Sequence, residues 1–91
     1  MSDAPDLLRQ TADADEPGDL IRQAREQLGW PQWKLGERLG LHVHELDSGH
    51  KQCRTLTAWE SGQSVPGWKN RKKLRQLADE LDEGARGGLY N

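Results

Sequence analysis

Phenylalanine is absent from this chain, and tyrosine and cysteine occur once each. The apolar third of the composition therefore rests on leucine and on four tryptophans, Trp30, Trp33, Trp59 and Trp68. A lone cysteine, Cys53, excludes an internal disulfide and fits a reducing compartment. No apolar run comes near the roughly 18 residues that a membrane span needs. The acidic opening MSDAPDLLRQ lacks the basic-then-apolar build of a secretory signal. A cytoplasmic setting is expected, and 91 residues allow one small domain with a modest core.

The formal charge of −2 conceals a division along the chain. Residues 1–19 carry six acids against Arg9, and residues 79–91 carry four acids against Arg86. Between them, residues 20–78 hold eleven Lys/Arg against five acids. A basic centre between acidic ends fits either a polyanion-binding core with solvated tails or charge that keeps a small domain in solution.

Residues 1–18 are polar and acidic, and are expected as a disordered or loosely attached tail. The tripeptide PGD then starts a helix, with Asp19 as its expected N-cap. Leu20, Ile21, Ala24 and Leu28 recur at helical spacing up to Gly29, which suits a left-handed C-terminal cap. Pro31 suits the opening of a second helix, because no intrahelical partner awaits its missing N–H. That helix, PQWKLGERLG, places Leu35 and Leu39 on one face and Gly36 beside them. A mid-helix glycine costs about 1 kcal/mol relative to alanine, which implies a neighbouring helix pressed against it. A short helix, RTLTAWES, follows with Leu56 and Trp59 as its buried stripe, Gly62 as its end and Pro66 as a stop. In the last helix, GWKNRKKLRQLADEL, Leu74, Leu77, Ala78 and Leu81 make the i, i+3, i+4, i+7 pattern behind a basic first half. Residues 83–91 are expected to fray.

Two segments together, LIRQAREQLGWPQWKLGERLG and TLTAWESGQSVP, resemble the helix-turn-helix of phage repressors and their bacterial relatives, the Cro/C1 or XRE-type family. The resemblance covers about residues 20–78. It rests on Gln32 early in the second helix, the small Gly36 within it, ERLG at 37–40, WESG at 59–62 and Pro66 after them. It implies an all-α fold: a small four- to five-helix, phage-repressor-like domain over 19–82 with flexible termini. It also implies that TLTAWES is a recognition helix for the major groove of double-stranded DNA. Gln32 then stands where the family bonds a phosphate, and Arg54, Thr55, Thr57 and Ala58 stand where it reads bases. Ser61, Gln63, Lys69 and Asn70 fall where it grips the backbone again.

This chain departs from the family pattern in three places. Pro31 replaces the usual capping Ser or Thr, and Ala58 is too short to hydrogen-bond a base. The turn between the two helices, ordinarily three to four residues, has grown by about ten, so that residues 41–53 are an insertion.

The insertion and its edges, GLHVHELDSGHKQCR, hold every histidine and the cysteine. His42, His44, His50 and Cys53 are the nitrogen and sulfur donors a tetrahedral zinc accepts, although the gap between the two pairs is no common finger spacing. The other readings are a loop that lies near phosphates through His50, Lys51 and Gln52, with DSG as its turn, or a protein contact through Leu41, Val43 and Leu46.

The expected function is sequence-specific DNA binding by a transcriptional regulator, a repressor of bacterial or phage type, nucleoid-associated and without a required cofactor. No catalytic constellation is visible: Glu26, Glu37, Glu45, Asp47 and Glu60 are dispersed, and no serine faces a histidine in a known motif. The alternative is a protein-interaction module on the same fold, an antitoxin or adaptor, working through the insertion or the acidic tail. A homodimer is expected from the resemblance, with the last helix and the Leu89-Tyr90 end as candidate contacts.

Overall fold

Residues 4–88 are described by the structure, a computed structural model. It is mostly helical, with the order α1 (Ala4–Asp13), α2 (Gly18–Leu28), α3 (Gln32–Arg38), β1 (His44–Glu45), β2 (Lys51–Gln52), α4 (Arg54–Ser61) and α5 (Trp68–Gly88). No helix among the described residues is long and apolar enough to cross a membrane.

The acidic N-terminal stretch is not a tail. From residue 4 it forms α1, which packs along α5 and against α2. Ala4, Leu7, Leu8, Thr11 and Ala12 recur at i, i+3, i+4, i+7 and i+8, and all five are buried. Burying a leucine fully contributes about 1.5–3 kcal/mol, enough to hold an acidic helix whose charges point outward. Thr11 loses no hydrogen bond in the core, since its hydroxyl donates to the Leu7 carbonyl at 2.7 Å. Polar clasps close the edges. Arg9 donates to Asp79 and Asp82 on α5, and these hydrogen bonds hold its guanidinium above the ordinary arginine pKa. Arg71 donates to the carbonyls of Ala12, in the last turn of α1, and Ala14, just past its end, and Arg75 pairs with Asp13. The same clasps lie along α5, whose backbone stays helical to Gly88 where fraying was expected from residue 83. Residues 1–3 and 89–91, with the Leu89-Tyr90 contact, lie outside the described residues.

Asp19 is not the N-cap of α2; Pro17 occupies that position, without a side-chain cap, and Asp19 falls in the first turn. The start of α2 is set instead by closeness: a Cβ on Gly18 would lie 2.7 Å from the Trp59 carbonyl oxygen, so only glycine lets α2 begin against the end of α4. Gly29 and Gly62 end α2 and α4 in the left-handed conformation, as their positions predict.

The enlarged turn between α3 and α4 is a small antiparallel hairpin, which departs from an all-α expectation. His44 pairs with Gln52 and Glu45 with Lys51, and the Leu46 N–H donates to the His50 carbonyl at 2.7 Å to close the loop. The turn over DSG is as the sequence predicts, with Gly49 at φ 86°. β2 passes into α4 through one residue, Cys53, which is buried completely. Gly36 makes room for it, since a Cβ there would meet the Cys53 Sγ at 2.6 Å and its Cβ at 3.0 Å. The close approach expected at Gly36 is therefore made by the residue that caps α4. Gly36→Ala is expected to destabilise by about 1–3 kcal/mol through overpacking, and Cys53→Ala in the same chain to restore part of the loss. Urea unfolding of both single variants and the double variant measures the coupling; additive effects would place the strain elsewhere.

Candidate nucleic-acid interface

α4 has two sides. Leu56 and Trp59 sink into the core against α2 and α3, together with Leu35, Leu39 and Ile21. Arg54, Thr55 and Thr57 are exposed, as is Ser61 at the helix end. Ala58 is half-buried. The hairpin leaves this face open, as the exposure of its three outward side chains requires. Trp59 is thus an anchor of the helix and not a contact.

A polar network behind α4 locks it to the scaffold. Glu60, with only 5% of its side chain exposed, accepts from Arg25 Nε at 3.2 Å and from the Arg25 terminal nitrogen at 2.9 Å. Gln32 Nε2 donates to the same carboxylate at 3.0 Å, and Arg22 approaches it at 3.7 Å. On its other side Gln32 Oε1 accepts from the Thr57 hydroxyl at 2.9 Å. The Cys53 carbonyl lies 3.0 Å from that hydroxyl, so its single proton has two acceptors. Gln32 accordingly turns its amide toward α4 and fixes the side of Thr57; one amide hydrogen is left over for a further acceptor. Every buried side-chain nitrogen and oxygen among the described residues has a partner, so the network ties α4 to α2 and α3 without a buried unpaired group.

The remaining predicted site residues flank this face. Gln63 is exposed after the end of α4, and its backbone N–H donates to the Ala58 carbonyl at 2.9 Å. Ser61 directs its hydroxyl proton to the same carbonyl at 3.1 Å. Lys69 is exposed at the start of α5, and Asn70 beside it is half-buried. Among the sequence-predicted set, the structure brings Gln32 and Thr57 into direct contact.

The candidate zinc ligands are not assembled. Cys53 is sealed in the core against Gly36, while His42 and His50 are exposed on the hairpin. His42 and His44 stack edge to face with ring centroids 4.2 Å apart. No group of three or more His, Cys, Asp or Glu among the described residues stands close enough to hold a metal ion. The physical reason is the short strand pairing: it leaves His42 and His50 at the surface and His44 half-buried, while the adjoining cysteine faces inward.

Two residues of the polar network, Arg25 and Glu60, were given no role by the sequence reading. A signal existed. Glu60 adjoins Trp59 on the buried stripe begun by Leu56, and a carboxylate there needs a cation. The basic first half of the last helix divides. Arg71 and Arg75 clasp α1, whereas Lys69 and Lys72 are exposed without a carboxylate partner among the described residues.

Comparison of the chain with family models, with curated proteins and with solved structures gives no match.

Proposed function

We propose that this chain binds double-stranded DNA sequence-specifically and regulates transcription, as a Cro/C1-type helix-turn-helix repressor with a hairpin inserted in its turn. The observation that carries the reading is α4 itself: an eight-residue helix anchored by Leu56 and Trp59, with Arg54, Thr55 and Thr57 outward and uncovered. A helix presented in this way fits the major groove, and its side chains match the groove's chemistry. Arg54 pairs with guanine through two hydrogen bonds, the Thr55 and Thr57 methyls meet thymine, and Ala58 offers apolar contact only. Gln32, Ser61, Gln63, Lys69 and Asn70 supply backbone contacts around it. The reading needs no metal, cofactor or catalytic group, and it implies a cytoplasmic, nucleoid-associated protein that pairs as a homodimer on two half-sites.

Selection of bound duplexes from a random library at two salt concentrations tests it. The selected duplex is expected to bind with an affinity that falls steeply as salt rises, because phosphate contacts release counterions. Absent or salt-insensitive binding would overturn the reading. On that duplex Arg54→Ala is expected to cost about 1–3 kcal/mol, roughly five- to 150-fold in affinity, and to relax selectivity at one base pair. Its thermal unfolding is expected to stay unchanged, since the side chain is exposed.

A second reading draws on the passage from α4 to α5, where Val65 in the loop is 52% exposed and Trp68 at the start of α5 is 73% exposed. Large apolar groups in that position suit a protein contact, as in an antitoxin or adaptor. Arg54→Ala combined with Lys69→Ala separates the two. Loss of DNA affinity with folding intact belongs to the first reading; an unchanged interaction with a protein partner belongs to the second.

A further inference from the structure

We propose that Lys51, carried by the hairpin and seated on the face of Trp33, is a phosphate contact that the insertion adds to the α4 surface. The proposal rests on the DNA-binding reading and names one contact within it.

The first argument is which cations are free. Arg22, Arg25, Arg38 and Arg75 each meet a carboxylate, and Arg71 meets three backbone carbonyls. Lys51 is exposed and has no carboxylate within ion-pair distance among the described residues. This holds although Glu45 is its partner in the strand register. The lysine turns instead to an indole: its Nζ lies 4.6 Å from the centre of the Trp33 ring. A ring face attracts the ammonium but takes none of its charge and leaves N–H donors for an anion. It also restrains a long side chain before binding, which lowers the entropy lost on contact.

The second argument is position. Lys51 precedes Arg54 by three residues, and the only residue between β2 and α4 is Cys53, held in the notch at Gly36. The lysine is therefore coupled to the end of α4 that carries the outward arginine. Trp33 follows Gln32, whose amide touches Thr57. Lys51 thus rests on the α3 residue next to the one that touches Thr57. Of the hairpin's two acids, Asp47 is in the turn and Glu45 lies opposite Lys51 on β1. Asp47 repels phosphate from the tip, and Lys51 is the hairpin's lysine on the side that leads into α4.

The experiment compares the full chain with Lys51→Ala on the duplex selected by the wild type and on a scrambled duplex, across a salt series. Removing one phosphate contact is expected to make the slope of log K against log salt shallower by about 0.9. Between about 50 and about 200 mM salt, the variant then loses roughly threefold less affinity than the wild type. The effect is expected to be equal on both duplexes, with the unfolding midpoint unchanged, and Trp33→Phe is expected to retain the wild-type slope because it keeps a ring face. An unchanged slope in Lys51→Ala, or a loss confined to the selected duplex, overturns the assignment while leaving the DNA-binding reading in place. A wild-type chain with no salt-dependent binding to any duplex sinks that reading itself.

Discussion

Leu8→Ala is expected to lower the free energy of unfolding by about 2–5 kcal/mol, although it lies in a segment whose composition suggests a tail. Leu8 is completely buried, and Leu7 and Ala12 flank it in the same core cluster. The loss combines the transfer free energy of the removed carbons with the cavity they leave between α1, α2 and α5. For a domain of this size, each kcal/mol lowers the melting temperature by about 4–8 °C, and total stability is only about 5–15 kcal/mol. Where the wild-type stability lies at the lower end of that range, part of the population is unfolded near physiological temperature. Thermal and urea unfolding followed by circular dichroism measures the change. The exposed neighbour Gln10 provides the control, since Gln10→Ala should stay within about 0.5 kcal/mol of wild type. If Leu8→Ala does the same, α1 does not belong to the core.

The second large effect is expected from Glu60→Ala. Its carboxylate is the common acceptor for Arg25 and Gln32. Its removal leaves a guanidinium that is 20% exposed with the Trp30 carbonyl, at 3.2 Å, as its remaining partner. Breaking a buried pair from one side costs about 3–5 kcal/mol. The partial exposure of Arg25 puts the expected loss at the lower end, about 3 kcal/mol. Glu60→Gln keeps one acceptor oxygen, so a smaller loss is expected. The two variants also separate stability from recognition. Gln32 loses the group that orients its amide, and Thr57 then loses its fixed partner. On the DNA-binding reading, Glu60→Gln should weaken binding at temperatures where it is fully folded. Equilibrium unfolding together with anisotropy titration reads both effects. A Glu60→Ala chain within about 0.5 kcal/mol of wild type would mean that the network does not hold α4 in place.

These two positions also show where sequence reading succeeds and where it stops. Glycine and proline punctuation located α2 and α4 well, because a left-handed cap or a missing N–H acts within one turn of the chain. The stripes of α4 and α5 were legible for the same reason. The stripe of α1 was equally present at residues 4, 7, 8, 11 and 12. It was hidden by attention to net charge, which describes the outward side chains and not the buried ones. The metal set failed differently. Four donors lay close along the chain, but the hairpin and the notch at Gly36 turned Cys53 inward and left His42 and His50 exposed.

By itself, then, the sequence determined that the chain is mostly helical, where most helices begin and end, and which residues of α4 are anchored. Each of these follows from spacing over three or four residues. Tertiary structure alone decided which cations remain free: Arg71 and Arg75 meet α1 across some sixty residues of chain, and Arg25 meets Glu60 across 35. Such pairings depend on how helices cross, and helical periodicity carries no record of what a face will meet.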